Sequence, residues 1–449
     1  MKILVVNGSP KAEYSITLQT CRYIEIKNPQ HQFNYIDIGR RIRALERDFS
    51  DAAQMLNDAD MIIFSYPVYT FIAPSQLHKF IEFMKKSGVD LRGKFATQIT
   101  TSKHFYDVTA HNYIEDNCYD MGLRYIKGLS ADMDDLTKVT GQKDACEFFR
   151  YVLWCCDNGY SEAPKRIVKE KQSVIATVPA VEGTDKKGDV VVVTDALDTD
   201  FSLNKMIERF SAVCAKKVRV LNLNSIKIKG GCLGCFNCAV SGECVYKDGF
   251  SDVLRKEIQS ADAIVYAFTI KDHSMGSLFK MYDDRQFCNG HRSVTMGHPV
   301  AYLISGNYSD EINLQLILDG RGEVGGNFVA GIATDEADTD TAIDKMARTL
   351  EYAIDNNFTK PANFLGVGGM KIFRDLVYQM RGMMKADHKF YKEHKQYDFP
   401  QKHKLMSLAM YLVGAMLGSE KIRSKMGNKM NEGMLMPYKK ILDDAKKSK

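Results

Sequence analysis

Residues 2–11 read KILVVNGSPK, and they decide the fold. Ile3 to Val6 is a short, unbroken apolar run rich in β-branched residues, which suits a strand buried on both faces. Asn7-Gly8-Ser9-Pro10 then turns the chain sharply, with a glycine where the turn needs one. A helical pattern follows over residues 15–27. Strand, tight turn and helix in that order open a βαβ unit. The alternation continues, with strands expected at 33–38, 61–66, 95–101 and 123–128. Between and after them, helices are expected near 48–57, 75–86, 105–121 and 143–157.

The order is then written a second time. Strands are expected at 189–194, 218–223, 263–267, 300–305 and 328–333. Helices are expected near 203–214, 251–260, 276–285, 310–320 and 341–356. Asp60-Met61-Ile62-Ile63-Phe64 has its counterpart in Asp262-Ala263-Ile264-Val265-Tyr266. Self-similarity at this spacing points to a tandem duplication. The expected fold is α/β, with two tandem doubly wound five-stranded parallel sheets and then a helical tail. The expected domains are residues 1–180, 188–356 and 357–449, with VEGTDKKG (residues 181–188) as linker.

The chain has 449 residues, 45% hydrophobic and 26% charged, a composition that supports ordinary globular cores. Its formal charge is +5, unevenly spread. Residues 360–449 hold 19 Lys/Arg against 8 Asp/Glu, so the tail carries +11 and the rest −6. The tail also holds 11 of the 22 methionines. Its Met and Leu residues are expected first to pack across the two halves or to form a lid; contact with a membrane surface is the less favoured alternative. Nucleic-acid binding is not expected, because the basic charge comes with no recognition motif. MKILVVNGSP lacks the pattern of a signal peptide, and the apolar run at 405–418 is shorter than the ~18 residues of a membrane span. The expectation is a cytoplasmic protein whose eleven cysteines stay reduced.

Four of those cysteines, Cys232, Cys235, Cys238 and Cys244, lie in GGCLGCFNCAVSGEC with the spacing C-x2-C-x2-C-x5-C. A tight run of this kind suits the four thiolates of a [4Fe–4S] cluster better than two separated zinc knuckles. At the first turn, Ser9, Ser15 and Thr17 offer hydroxyls and Lys11 a charge beside a helix N-terminus. Together they can cradle a phosphate, although the pattern also fits an ordinary capped helix start. It is neither a GxGxxG nor a Walker A loop. The third strand runs out into Pro67-Val68-Tyr69-Thr70-Phe71, which could stack a flat heterocycle or only pack on itself. The fourth runs out into Thr101-Ser102-Lys103-His104. All three loops belong to the sheet edge where doubly wound folds bind ligands.

NGSPK with Ser15 and Thr17, YPVYTFIAPSQLHKF and CLGCFNC…GEC resemble the flavodoxin-like NAD(P)H-dependent FMN reductases. The cysteine spacing resembles that of the iron–sulfur flavoproteins of anaerobes. The resemblance covers roughly residues 1–356 and implies two tandem flavodoxin-like domains with FMN as cofactor. It implies that Ser9, Lys11, Ser15 and Thr17 hold the phosphate. Pro67, Val68, Tyr69, Thr70, Phe71, Thr101, Ser102 and His104 would then line the ring and ribityl chain. It also implies NAD(P)H as a possible electron donor and a small molecule or protein as acceptor.

The departures are complementary. The first half has no cysteine after its second strand. The second half replaces the phosphate turn with Asp195, Asp198 and Asp200, whose charges would repel a phosphate, and replaces Pro-Val-Tyr with Thr269-Ile270-Lys271. The sharpest expectation is an intrachain pseudo-dimer with one FMN in the first half and one cluster in the second; a homodimer is the other arrangement. An FMN or quinone reductase without a cluster, and a non-enzymatic electron carrier, are the alternatives. No side chain is assigned as a catalytic acid or base.

Overall fold

Buried runs of Val, Ile and Ala build two parallel sheets, as expected for strands covered on both faces. The structure is a computed structural model, and it describes residues 1–164, 172–180, 186–421 and 429–447. The first sheet contains β1 (Lys2–Asn7), β2 (Gln32–Asp37), β3 (Met61–Pro67), β4 (Phe95–Ser102), β5 (Arg124–Tyr125) and β6 (Leu129–Asp132). Its order is β2-β1-β3-β4-β5, with β6 also on β4. The second contains β7 (Val190–Thr194), β8 (Val218–Asn222), β9 (Ala263–Thr269), β10 (Pro299–Ser305) and β11 (Phe328–Thr334), in the order β8-β7-β9-β10-β11. Both sheets therefore follow the doubly wound order 2-1-3-4-5, with every pair parallel. Alternate residues of β1 serve opposite faces. Leu4 and Val6 join one core with Leu77 and Phe80, and Ile3 and Val5 join another with Leu18 and Phe149.

The fifth strand of the first sheet is broken in two. Gly128 sits at the break, where a Cβ would lie 2.3 Å from Gln98 Cγ. The Gln98 amide also receives the Tyr66 hydroxyl at 2.6 Å and donates to His111 O at 3.0 Å. This buried polar knot occupies the strand line, and only glycine lets the chain pass it. An additional helix, Ile38–Arg47, fills the place that the cysteine loop takes in the second half.

The halves meet through equivalent helices. Ser75–Lys86 packs on Gly276–Arg285, and Asp107–Asp120 packs on Ile312–Gly325. The contacts are reciprocal: Ser75 N donates to Asp284 Oδ2 at 2.7 Å, and Ser277 N donates to Glu82 Oε1 at 2.9 Å. These residues correspond, since 277 − 75 and 284 − 82 both give 202. Reciprocity of this kind is the signature of a two-fold interface.

The chain forms two compact units, Met1–Phe390 and Tyr391–Lys449. The first takes in both sheets and the helix Phe364–Gln379, a boundary later than the expected 357. Of the expected linker, residues 181–185 lie outside the described residues. Just before it, Val174 N donates to Asp335 O at 2.6 Å, and Arg209 donates to Thr177 O at 2.7 Å. The chain has thus crossed to the second half by residue 174. The second unit contains the helices Lys404–Leu417 and Lys429–Lys447.

Candidate functional site

The C-terminal edge of the first sheet opens into a cavity of about 370 Å³. Its lining includes Ser9, Lys11, Ser15, Thr17, Pro67, Val68, Tyr69, Thr70, Phe71, Thr101 and Ser102. Cys232, Cys235, Cys238 and Cys244 from the second half line the same cavity. The structure therefore brings together every expected site residue except one. His104 is absent from the lining. Its backbone is left-handed (φ 55°), and its Nδ1 pairs with Asp107 at 2.9 Å, so the ring serves the start of the next helix.

Local hydrogen bonds shape the first loop. Asn7 Nδ2 donates to Ala12 O at 3.1 Å, and Ser9 N donates to Asn7 Oδ1 at 3.2 Å. Ser15 caps the helix Ile16–Lys27 by accepting from Leu18 N at 3.4 Å. Thr17 Oγ1 lies 2.6 Å from Thr101 Oγ1, which ties the first loop to the fourth-strand loop. Three buried hydroxyls and one ammonium make a donor set that fits a phosphate.

The third-strand loop is a tight turn. Tyr69 N donates to Ile72 O at 2.8 Å, and Ile72 N donates back to Tyr69 O at 3.2 Å. Thr70 and Phe71 adopt φ of 43° and 74°, a strained geometry for residues with side chains. The Phe71 ring packs on Phe105 and Tyr106 at 5.0 and 4.2 Å between centroids. Phe105 in turn stacks on Phe373 at 4.4 Å. The lining thus combines flat apolar walls with a few polar groups, which suits a heterocyclic ligand.

The cysteine loop is anchored from both halves. Arg285 is buried, pairs through both Nη atoms with Asp248 at 2.9 Å, and donates to Gly230 O at 3.1 Å. Its guanidinium lies over the Tyr246 ring at 4.3 Å and the Phe250 ring at 4.9 Å. From the first half, Arg43 donates to Lys229 O, and the Lys11 ammonium lies 5.5 Å from the centre of the Phe236 ring. Gly234, at φ 61°, passes so close to Tyr69 that a Cβ there would overlap the phenol oxygen. Gly234 N donates to Cys232 Sγ at 3.4 Å.

All eleven cysteines are free thiols. Burial pushes the Cys232 thiol well up, and burial with Asp387 and the neighbouring thiols pushes Cys238 up to about 11. Uncomplexed, these two thiols stay protonated at neutral pH. Bound cations would be needed to hold them as thiolates. All four thiols line this cavity, and as a donor set they have the chemistry of cubane-cluster ligands. Among the described residues, no three His, Cys, Asp or Glu side chains converge on a single-ion site.

Several lining residues escaped the sequence reading, among them Tyr246, Arg285, Phe287, His291, Arg321 and Phe373. They come from the cysteine loop (Tyr246), from the helix Gly276–Arg285 and the residues just after it (Arg285, Phe287, His291), from the helix Ile312–Gly325 (Arg321) and from the helix Phe364–Gln379 (Phe373). Only the packing of the two halves brings them to the first sheet's edge. The buried Lys280–Asp284 pair, whose Asp284 lines the cavity, was equally hidden, although its i, i+4 spacing on one helix was visible.

The second half's own sheet edge differs. Asp195 is buried, and burial pushes its carboxyl up to about 6 despite the Lys271 ammonium at 3.9 Å. Lys271 is the counterpart of Tyr69, since 271 − 69 is again 202.

Residues 1–133 match the family model described as flavodoxin-like fold. A protein from Archaeoglobus fulgidus named iron-sulfur flavoprotein is 24% identical over 186 residues, 39% of this chain and 84% of that one. Among solved structures, an NAD(P)H:quinone oxidoreductase from Methanothermobacter marburgensis is similar at 10% identity and a TM-score of 0.29, over 36% of this chain and 99% of that one. An FMN-dependent NADH-azoreductase from Bacillus anthracis is similar at 12% identity and a TM-score of 0.28, over 34% and 98%. Residues 1–133 thus carry the flavodoxin-like fold, and the second sheet repeats its strand order.

Proposed function

We propose that the protein is an NAD(P)H-dependent flavin oxidoreductase with one FMN and one [4Fe–4S] cluster, built as a fused pair of flavodoxin-like halves. One observation carries the reading: the phosphate and ring loops of the first half and the four cysteines of the second line a single cavity. Bound FMN would supply two-electron exchange with a nicotinamide and one-electron exchange with a cluster.

The chain's own residues do the rest. Ser9, Lys11, Ser15 and Thr17 hold the phosphate. Pro67, Val68, Tyr69, Thr70, Phe71, Thr101 and Ser102 would hold the ring and ribityl chain. Cys232, Cys235, Cys238 and Cys244 ligate the irons. Arg285 and Asp248 fix the cysteine loop, and Lys11 and Arg43 join that loop to the flavin half. The reciprocal contacts at Ser75 and Ser277 support the fused-pair reading. Among the described residues no helix is long and apolar enough to cross a membrane. A cytoplasmic setting accords with the eleven free thiols.

The test is anaerobic purification followed by assay of flavin, iron and sulfide per chain. One FMN and one cluster per chain are expected. Two flavins per chain, or iron and sulfide absent from anaerobically prepared protein, would overturn the reading.

A further inference from the structure

The tail's second unit holds a feature that the redox site does not use. The helix Lys404–Leu417 has the sequence KLMSLAMYLVGAML, without one acidic residue. Its large apolar side chains other than Leu417 are exposed, from 36% for Val413 to 84% for Leu405. A helix that is apolar all round belongs in a protein core or in lipid. Its own unit does not bury these side chains. At 14 residues and 1.5 Å per residue it is ~21 Å long, too short for a hydrocarbon core of ~30 Å.

Its flanks are basic. Lys402, His403 and Lys404 precede it, and Lys421, Arg423 and Lys425 follow, with Glu420 the one acidic residue between Lys402 and Lys425. The helix Lys429–Lys447 adds Leu435, Tyr438, Ile441 and Leu442 at helical spacing, all exposed, beside Lys439, Lys446 and Lys447. Short apolar helices bracketed by cations match a surface with a negative headgroup layer over an apolar layer. A second copy of this chain fits less well, because pairing would bring the same basic flanks together.

We propose that the helices Lys404–Leu417 and Lys429–Lys447 dock the protein on an anionic membrane surface. Helix Lys404–Leu417 lies in the boundary between headgroups and acyl chains, and Lys402, Lys404, Lys439, Lys446 and Lys447 meet the lipid phosphates. The protein is held on one leaflet without crossing it.

The test is flotation of the full chain with vesicles of pure phosphatidylcholine, or of phosphatidylcholine with roughly 30% phosphatidylglycerol. Binding to the anionic vesicles alone is expected, weakened at about 1 M salt, where screening reaches within a few ångström. The double variant Leu408→Glu/Leu412→Glu should lose binding. Both residues are exposed, so its circular dichroism and thermal midpoint should match the parent. The variant Lys402→Gln/Lys404→Gln should bind roughly thirtyfold more weakly. Three results would overturn the proposal: no vesicle binding by the parent, equal binding to neutral and anionic vesicles, or a concentration-dependent dimer that Leu408→Glu dissolves without any vesicle binding.

Discussion

The turn after β3 and the turn after β9 share one backbone and carry two chemistries. Thr70 and Phe71 have φ of 43° and 74°; Asp272 and His273 have 52° and 62°. Tyr69 N reaches Ile72 O at 2.8 Å, and Lys271 N reaches Ser274 O at the same distance. Strain of this sort costs about 1–3 kcal/mol per residue, so its survival in both halves needs a cause. The cause lies in the contact between halves. Thr70 Oγ1 donates to Asp284 Oδ1 at 2.7 Å, and Asp272 O accepts from Asn117 Nδ2 at 3.2 Å. The interface holds both turns in shape, and the side chains they display are free to differ. In the first half they face the shared cavity. In the second, His273 lies between Asp120 at 3.0 Å and Glu311 at 2.9 Å.

The largest expected effect separates the two chemistries. On the proposed reading Cys232→Ala removes one of the four cluster ligands and should abolish iron and sulfide content. Flavin content should remain at one per chain, because none of the phosphate-loop residues belongs to that half. Iron retained at the parent level would break the assignment of the cluster to the second half.

Next in size is the interface itself. Asp284 is fully buried and accepts from Thr70 Oγ1, from Ser75 N at 2.7 Å and from the buried Lys280 ammonium. Burial pushes its carboxyl pKa up, with Lys280 and the hydrogen-bond donors pulling it back. Asp284→Ala leaves the Lys280 ammonium with only Asp283, at 3.4 Å, as a charge partner. Breaking a buried pair costs about 3–5 kcal/mol, which urea unfolding would register as a large fall in midpoint. A change under about 1 kcal/mol would mean that water reaches the network.

Much of this was legible in sequence, and the limits have physical causes. Short β-branched runs and glycine turns mark strands and their ends by local chemistry, so β1, β3, β4, β9 and β10 lie where the pattern put them. The helices at 75–86 and 276–285 fall at their expected bounds for the same reason. The split of the fifth strand was not legible, because it depends on Gln98, distant in sequence from Gly128. The three loops at the edge of the first sheet were legible because each follows its own strand. Arg285, Arg321 and Phe373 were not, since they reach the cavity only through packing between elements far apart in the chain. His104 lies outside the cavity lining, its left-handed backbone pairing the ring with Asp107, a preference that the spacing of the loop does not reveal.

A smaller effect is a matter of pH. Burial alone would lower the His273 pKa; hydrogen bonds and charges from Asp120 and Glu311 outweigh it and lift the value to about 10. A raised histidine pKa stabilises the fold fully below its unfolded value near 6.5, and the gain is lost as pH rises through about 10. The counterpart of His273 is Phe71 (273 − 202), so His273→Phe writes the first half's residue into the second. That variant should be less stable than the parent by about 1–2 kcal/mol near pH 6, a figure discounted for the partial exposure of Asp120. The gap should close toward pH 10. Parallel stability curves for variant and parent across that range would show that the imidazolium contributes nothing.

The smallest effect probes the mirror image of Asp284. Glu82 accepts from Ser277 N at 2.9 Å, as Asp284 accepts from Ser75 N, but the residue four positions before it is His78 rather than Lys280. His78 is fully buried, stacked on Tyr113 at 4.1 Å, and kept neutral first by burial and then by the Lys280 charge. Glu82 therefore has no buried cation as neighbour; its Oε2 lies 3.4 Å from Lys79, whose side chain is 33% exposed. Glu82→Ala should cost about 1 kcal/mol, the value of one hydrogen bond from a helix N-terminus to a carboxylate. The ratio of the two losses measures how far the halves have diverged at a contact they still share. Near-equal losses would mean that the Lys280 ammonium adds nothing to the contact, and the asymmetry would then be confined to the cavity and the cysteine wall.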